Sequence, residues 1–238
     1  MTLPLFYEPD LSEQSTLLSL SEESTRHCLQ VLRMREGQMI EITNGRGLSA
    51  TGNLLVSGKK SAQVQCISFS HHQRPAVQLT LCLSPLKNPQ RLEWLLEKAT
   101  EIGIAAFQPI ICQRTEQLKI RRERLEAILI SALLQSRQYF LPELLEPISF
   151  TQLMEFPALS SQWIAHCGDG QKLPLAGCQA TDKARILIGP EGDFTTEEIN
   201  AAMSKGYRAV SLGQTRLRTE TAGLVAVTLI VHSNPMNS

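Results

Sequence analysis

Two segments of this sequence carry residue types and spacings that could do chemistry. One is Ile186-Leu187-Ile188-Gly189-Pro190-Glu191-Gly192-Asp193-Phe194. The other is Leu212-Gly213-Gln214-Thr215-Arg216-Leu217-Arg218-Thr219-Glu220-Thr221-Ala222. Each follows an apolar strand pattern and precedes a helical one. In an open α/β sheet that junction is the carboxyl end of a strand, where ligands bind. Gly189 and Gly192 allow a sharp turn and close approach of a flat ligand to the main chain. A single Gly-Pro turn is also ordinary loop punctuation. The second turn, dense in Arg, Thr and Glu, argues for a site. Arg218 cannot serve as a base near neutral pH, but its guanidinium can stabilise a developing anion. Glu220 can take a proton or hold Arg218; an ion pair at the head of a helix is the structural alternative for both.

Other chemistries lack their signatures. There is no GxxxxGK[ST] and no GxGxxG after a strand, and Cys167-Gly168-Asp169-Gly170 is too short to replace the latter. Neither HExxH, a His/Cys cluster nor GxSxG is present, so no metal is expected and no serine-hydrolase elbow. His166 is a lone histidine at a strand end, as suited to structure as to a ligand.

The elements that would position these residues fall into two styles. MIEIT, GLSATGNLLV and SAQVQCISF read as strands, punctuated by Asn44-Gly45, Gly47 and Ser57-Gly58. Ser21-Glu22-Glu23-Ser24 opens one short helix with an incomplete capping box, placing His27, Val31 and Met34 on one side. A small β-barrel is the economical reading. The polar stretch SHHQRPA, residues 70–76, marks a boundary. Beyond it strands (VQLTLCLSP, FQPIIC, Gln162–Cys167, ARILIG, AVSLG) alternate with helices (RLEWLLEKATEIG, RRERLEAILISALLQSR, TTEEINAAMSKG, TETAGLVAVTLIVHS). Thr195 and Glu198 make a capping box. Such alternation implies a mostly parallel sheet covered on both faces. Trp94 and Trp163 sit among apolar neighbours and are expected in the core.

The chain has 238 residues, 42% hydrophobic, with 23 Lys+Arg against 23 Asp+Glu. That excludes a disordered chain and allows one or two domains. No apolar run is long enough to span a bilayer. MTLPLFYEPDL has no basic segment or long apolar core, so no signal peptide is expected. The cysteines at 28, 66, 82, 112, 167 and 178 form no CxxC pair and read as buried cytoplasmic thiols. Only residues 73–145 are basic, with 10 Lys/Arg against 7 Asp/Glu, including Arg114, Lys119, Arg121, Arg122 and Arg124. A solvated helix face and a phosphate-binding surface explain that cluster equally well.

GPEGDF followed by LGQTRLRTETA resembles the RsmE family of 16S ribosomal RNA methyltransferases, in the SPOUT superfamily. FYEPDL, RHCLQVLRMREGQ, LKNPQRLEWLLEKATEIGIAAFQPI and LLQSRQYFLPEL match family segments in the same order. The resemblance implies an N-terminal PUA-like β-barrel over residues 1–72, binding RNA. It implies a SPOUT methyltransferase domain over 73–238, with a trefoil-knotted, mostly parallel sheet flanked by helices. It further implies a cytoplasmic homodimer, S-adenosyl-L-methionine as methyl donor and a role in ribosome biogenesis. Its substrate would be a uridine of the small subunit, methylated at N3. Three departures stand out: Asp193 where Gly is usual, Gln214-Thr215 where Pro-Arg is usual, and Leu134 where Glu is frequent.

The resemblance implies a donor site of three loops: His166, Cys167 and Gly168; Ile188, Gly189, Pro190, Glu191 and Gly192; Leu212, Gly213, Leu217, Arg218, Thr219, Thr221 and Ala222. Glu191 would contact the ribose or cap its own loop. Arg218 and Glu220 are the expected catalytic pair, because uridine N3 carries a proton that must be removed. RNA contacts are expected from His27, Arg33, Arg35, Lys87, Arg91, Lys98, Gln135 and Arg137, which would position phosphates. A catalytically silent RNA-binding protein of the same fold, and a methyltransferase for another RNA position, are the alternatives.

Overall fold

A computed structural model describes residues 2–58, 61–116 and 119–233. The chain forms two compact units, residues 1–74 with 133–141, and residues 75–132 with 142–238.

The first unit carries β1 (Leu5–Tyr7), β2 (Leu17–Ser19), α1 (Glu22–Arg26), β3 (Met39–Thr43), β4 (Leu48–Val56) and β5 (Ala62–His71). Its mixed sheet runs β1-β3-β4-β5-β2, with β1 parallel to β3 and the other pairs antiparallel. Alternation decides the core. Ile40 and Ile42 of β3 are buried with Phe6, Leu54 and Val64, while Met39 points to solvent.

The incomplete capping box of α1 is completed from elsewhere in the chain. Ser21 Oγ accepts from the Ser24 amide, and the buried Glu8 carboxylate accepts from the Ser21 amide at 3.0 Å. Glu8 thus fills the place of the missing glutamate. A π turn over His27–Val31 follows α1, the Leu32 amide bonding back to His27. The extra residue rotates the helical face. Val31 is left exposed, while Cys28, Leu29 and Met34 pack on the core. The expected His27–Val31–Met34 face is therefore broken.

Segment 133–141 joins this unit through an antiparallel bridge, with the Gly47 amide donating to the Tyr139 carbonyl and the Leu141 amide to the Gly45 carbonyl, and through a polar network. Glu41 Oε1 accepts from Tyr139 Oη at 2.7 Å, and Glu41 Oε2 accepts from Arg137 Nη2 at 2.5 Å. Arg137 Nη1 donates to the Leu3 carbonyl at 2.8 Å. His72 stacks on Tyr139 with centroids 3.4 Å apart.

The second unit contains β6 (Gln78–Leu83), α2 (Pro89–Ile102), β7 (Ala106–Ile111), α3 (Arg122–Gln135, whose last turn groups with the first unit), β8 (Glu143–Leu144), β9 (Ile148–Ser149) and α4 (Phe150–Leu153). These are followed by β10 (Ser161–Ala165), β11 (Leu173–Pro174), β12 (Lys183–Ile188), α5 (Thr196–Ser204), β13 (Arg208–Ser211) and α6 (Thr219–His232). The sheet order is β11-β13-β10-β12-β6-β7-β8, with β9 also on β7 and every pairing parallel.

Register sorts the two faces. Trp163, Ile186, Leu81 and Phe107 form one fully buried row across four strands. Leu83, next but one along β6, faces Gly223 of α6, which also meets Leu95 of α2; a Cβ at Gly223 would lie 3.0 Å from Leu83. The opposite face carries Cys82, Leu187 and Ile164, covered by Phe150 and Leu153 of α4, Phe194, and Ala202 of α5. The parallel sheet with helices on both faces is as expected.

Two expectations need correction. Trp163 is in the core, but Trp94 is 44% exposed on the outer side of α2. Its apolar neighbours Leu92, Leu95 and Leu96 take the inner side. The cysteines are free thiols, but Cys167 is exposed and Cys66 half-buried. Elsewhere burial acts as expected, pushing the Cys82 thiol up to about 12.

Candidate functional site

A cavity of about 720 Å³ opens where three adjacent strands, β13, β10 and β12, end. Its walls are the loops that follow those strands, together with the start of α6 and Arg91 of α2. The volume lies within the roughly 300–1,000 Å³ of small-molecule sites.

The loop after β12 is built residue by residue. The Phe194 ring is buried 5.8 Å from Phe150, and a Cβ at Gly189 would lie 3.0 Å from it. A larger residue there would have to push the Phe194 ring aside by a few tenths of an ångström. Pro190 through Asp193 form a tight turn, the Asp193 amide donating to the Pro190 carbonyl at 2.9 Å. Asp193 has φ +64°, a left-handed conformation that Asp tolerates better than most residues. Thr195 and Glu198 then form the expected capping box of α5. Arg114 braces the turn from outside, its Nη1 donating to the Gly192 carbonyl at 2.7 Å. Glu191 is exposed on the cavity wall.

The loop after β10 is tied to that turn. Asp193 Oδ2 accepts from the Cys167 amide at 2.7 Å. Lys172 donates to the Gly168 carbonyl. His166 faces the cavity, and its Nδ1 is buried without a hydrogen-bond partner. Burial, aided by the Lys172 charge, holds its pKa below the usual histidine value, against an upward pull from Asp193.

The third loop runs from β13 into α6. Ser211 Oγ donates to the Gly213 carbonyl at 3.0 Å, and Gly213 has φ +144°. Leu212 and Leu217 are half-buried on the wall, while Gln214, Thr215, Arg216 and Arg218 are exposed there. Arg218 is the N-cap residue of α6.

Glu220, in the first turn of α6, is buried. Its side chain is 9% exposed, and its ion-pair partner is Arg91, Nε to Oε1 3.6 Å. Its Oε2 has no hydrogen-bond partner. A buried carboxylate oxygen with no donor carries a large desolvation cost, and such atoms ask for a ligand.

The structure thus gathers most of the expected donor residues on one cavity: His166, Cys167, Ile188, Gly189, Pro190, Glu191, Leu212, Gly213, Leu217, Arg218, Thr219 and Ala222. Gly168, Gly192 and Thr221 lie off its wall. Sequence reasoning missed Lys172 and Ser211, which carry no motif signal, and gave Asp193 no role. It also set Arg91 among the RNA contacts, whereas Arg91 lines this cavity and pairs with Glu220.

The remaining expected RNA residues are scattered. His27, Arg33 and Arg35 are exposed on the first unit, Arg33 at φ +54°. Gln135 is exposed at the end of α3. Lys87 pairs with Glu116, Lys98 with Glu97 and Glu101, and Arg137 with Glu41. In the basic cluster, Arg122 pairs with Glu126 and Glu146, and Arg124 with Glu93.

Three loops at the carboxyl ends of adjacent parallel strands define a ligand-binding α/β domain. Comparison with known proteins makes this specific. Residues 72–231 match the RNA methyltransferase domain, and residues 20–66 the RNA methyltransferase PUA domain. Ribosomal RNA small subunit methyltransferase E of Synechocystis is 29% identical, covering 97% of this chain and 77% of its own. The crystal structure of that enzyme from Neisseria gonorrhoeae, bound to S-adenosyl methionine, superposes with TM-score 0.84 at 30% identity, covering 95% of each chain. A probable rRNA methyltransferase from Porphyromonas gingivalis gives TM-score 0.87 at 37% identity, covering 94% of this chain and 95% of its own.

The chain belongs to the RNA methyltransferase family with an N-terminal PUA domain. Among the described residues no group of His, Cys, Asp and Glu could hold a metal, and no helix is long and apolar enough to cross a membrane.

Proposed function

We propose that this protein transfers a methyl group from S-adenosyl-L-methionine to N3 of a uridine in 16S ribosomal RNA of the small subunit. The observation that carries the reading is the cavity itself, walled by the loops after β10, β12 and β13 and by Glu220 with Arg91, a carboxylate that keeps one buried oxygen unpartnered. The names of full-length relatives support the substrate, and the donor bound in the Neisseria structure supports the cofactor.

The residues present fit that donor. Gly213, where a Cβ would meet nothing within 4 Å, keeps the backbone open to a flat base. Ile188, Leu212 and Leu217 supply apolar contact, and His166 and Glu191 stand at polar positions on the wall. Bound there, the donor supplies an already activated methyl on a cationic sulfur, leaving as a neutral thioether. The protein must then align the base with that methyl. Glu220 Oε2 takes the N3 proton, freeing the nitrogen lone pair to form the new N–C bond. Arg91 holds the other carboxylate oxygen. Arg218, exposed at the rim, stabilises the negative charge that develops on the uracil.

Exposed Arg33 and Arg35 offer the first unit's charge to phosphates, whereas Lys87 and Lys98 on the second are already paired with glutamates. A homodimer is supported by α6, which is apolar nearly all round, with Leu224, Val225 and Leu229 only half-buried. A ribosomal substrate implies work in the cytoplasm.

The test uses purified protein, labelled S-adenosyl-L-methionine and small subunits from cells lacking the activity. Nucleoside mass spectrometry is expected to recover 3-methyluridine. Donor binding without any methylated product would overturn the substrate; no donor binding would favour a silent RNA-binding protein.

A further inference from the structure

We propose that Asp193 is a positioning residue: its carboxylate clasps the loop after β10 onto the loop after β12 and so sets the shape of the donor cavity. The proposal rests on reading that cavity as the methyl-donor site.

Three observations carry it. First, Asp193 reaches 26 positions along the chain to accept the Cys167 amide at 2.7 Å through Oδ2, while Oδ1 accepts its own neighbour's amide, Phe194, at 2.8 Å. Both oxygens are thereby used on backbone donors, the shorter, charge-assisted kind of bond. Second, Asp193 holds a left-handed backbone at φ +64°. An L residue with a Cβ is disfavoured there, so its presence calls for a compensating interaction. Third, Asp193, Cys167 and His166 all line the cavity.

The clasp has a counterpart. Lys172 donates to the Gly168 carbonyl, so the His166–Gly168 segment is fastened by a carboxylate at Cys167 and an ammonium at Gly168. This fixes what the loop can offer a ligand. The Cys167 amide is spent on Asp193, and the atom left wanting a partner is His166 Nδ1. A loop held in its binding shape spares the ligand the cost of ordering it.

Asp193→Gly separates positioning from folding. Glycine adopts φ +64° freely, so the variant keeps the turn and loses the clasp together with the local Oδ1 bond to the Phe194 amide. Three quantities are read on full-length protein: the melting temperature, the affinity for S-adenosyl-L-methionine by calorimetry, and hydrogen exchange of the Cys167 amide by NMR without ligand. The melting temperature is expected to stay within about 3 °C. Donor Kd should rise about tenfold and Cys167 exchange about tenfold. Asp193→Asn, which keeps one acceptor oxygen and tolerates the conformation, should fall between the two. In turnover assays the donor KM should rise while kcat holds.

Faster Cys167 exchange with unchanged donor affinity would overturn the proposal, since the clasp would then position nothing. Unchanged exchange would overturn it as well. Wild-type protein that gives a blank donor titration would overturn the reading of the cavity and, with it, this role; that failure is recognised before any variant is made.

Discussion

The two units each set a little-exposed Glu beside a half-exposed Arg, and the pairs are matched in exposure. Glu41 is 12% exposed beside an Arg137 at 37%; Glu220 is 9% exposed beside an Arg91 at 39%. Their hydrogen bonding differs. Glu41 accepts from Arg137 at 2.5 Å and from Tyr139 at 2.7 Å, and Arg137 has a further acceptor in the Leu3 carbonyl. Glu220 stands 3.6 Å from Arg91 and leaves Oε2 bare. A buried charge that is fully bonded is part of the scaffold. One left partly bonded raises the energy of the folded protein until a ligand supplies the missing donor. The same side-chain pair therefore reads as structure in one unit and as a site in the other.

That contrast predicts opposite signs. Glu220→Gln should lower kcat about 100-fold or more, because the proton acceptor is gone, while the melting temperature holds or rises as a partly bonded buried charge is removed. Single-turnover assays and thermal unfolding check both. Loss of stability without loss of turnover would put Glu220 with Glu41. Glu41→Gln should do the reverse. It strips a charged acceptor from two donors and should cost about 2–3 kcal/mol, with donor affinity unchanged. Chemical denaturation and calorimetry measure the two.

Arg218→Ala should retain donor binding and lose most turnover, since Arg218 is an exposed N-cap residue with no side-chain capping bond to lose. Unchanged turnover would assign it to the structure.

The smallest effect concerns His72, stacked on Tyr139 and hydrogen-bonded with Ser49 at 2.9 Å. Burial holds its pKa below the usual value, outweighing the upward pull of Glu41. The unfolded chain then binds the proton more readily. Stability present above about pH 6.5 is lost as the pH falls toward the folded pKa. Comparing melting temperatures at pH 7.5 and 5.5, His72→Gln should shrink the acid-induced drop by about 2 °C. An unaltered drop would place the titration elsewhere.

Much of the second unit was legible in its sequence because its elements are long and locally encoded. Helix α2 ends at Gly103 in a left-handed cap, and α5 begins with the Thr195–Glu198 box, both as read. The elements missed are β8, β9, α4 and β11, each of two to four residues, too short for a period to register. In the first unit the π turn was invisible, since one extra residue in a helix leaves no mark in composition yet turned Val31 outward. The misplacement of Trp94 has a similar origin: a tryptophan between leucines looks buried in the string, and the rotation of α2 decides otherwise.

By itself the sequence determined which loops would line the cavity. Gly189, Pro190, Gly192 and the Arg-Thr-Glu run of the third loop are local requirements for turning a chain and presenting backbone, and local requirements are written in consecutive residues. Partners distant in sequence were decided only by the tertiary structure. Glu8 completes the cap of Ser21, Asp193 holds Cys167, and Arg91 rather than Arg218 stands beside Glu220. Each pairing joins groups from separate elements, set by how strands register and helices pack, and no spacing along the chain encodes that distance.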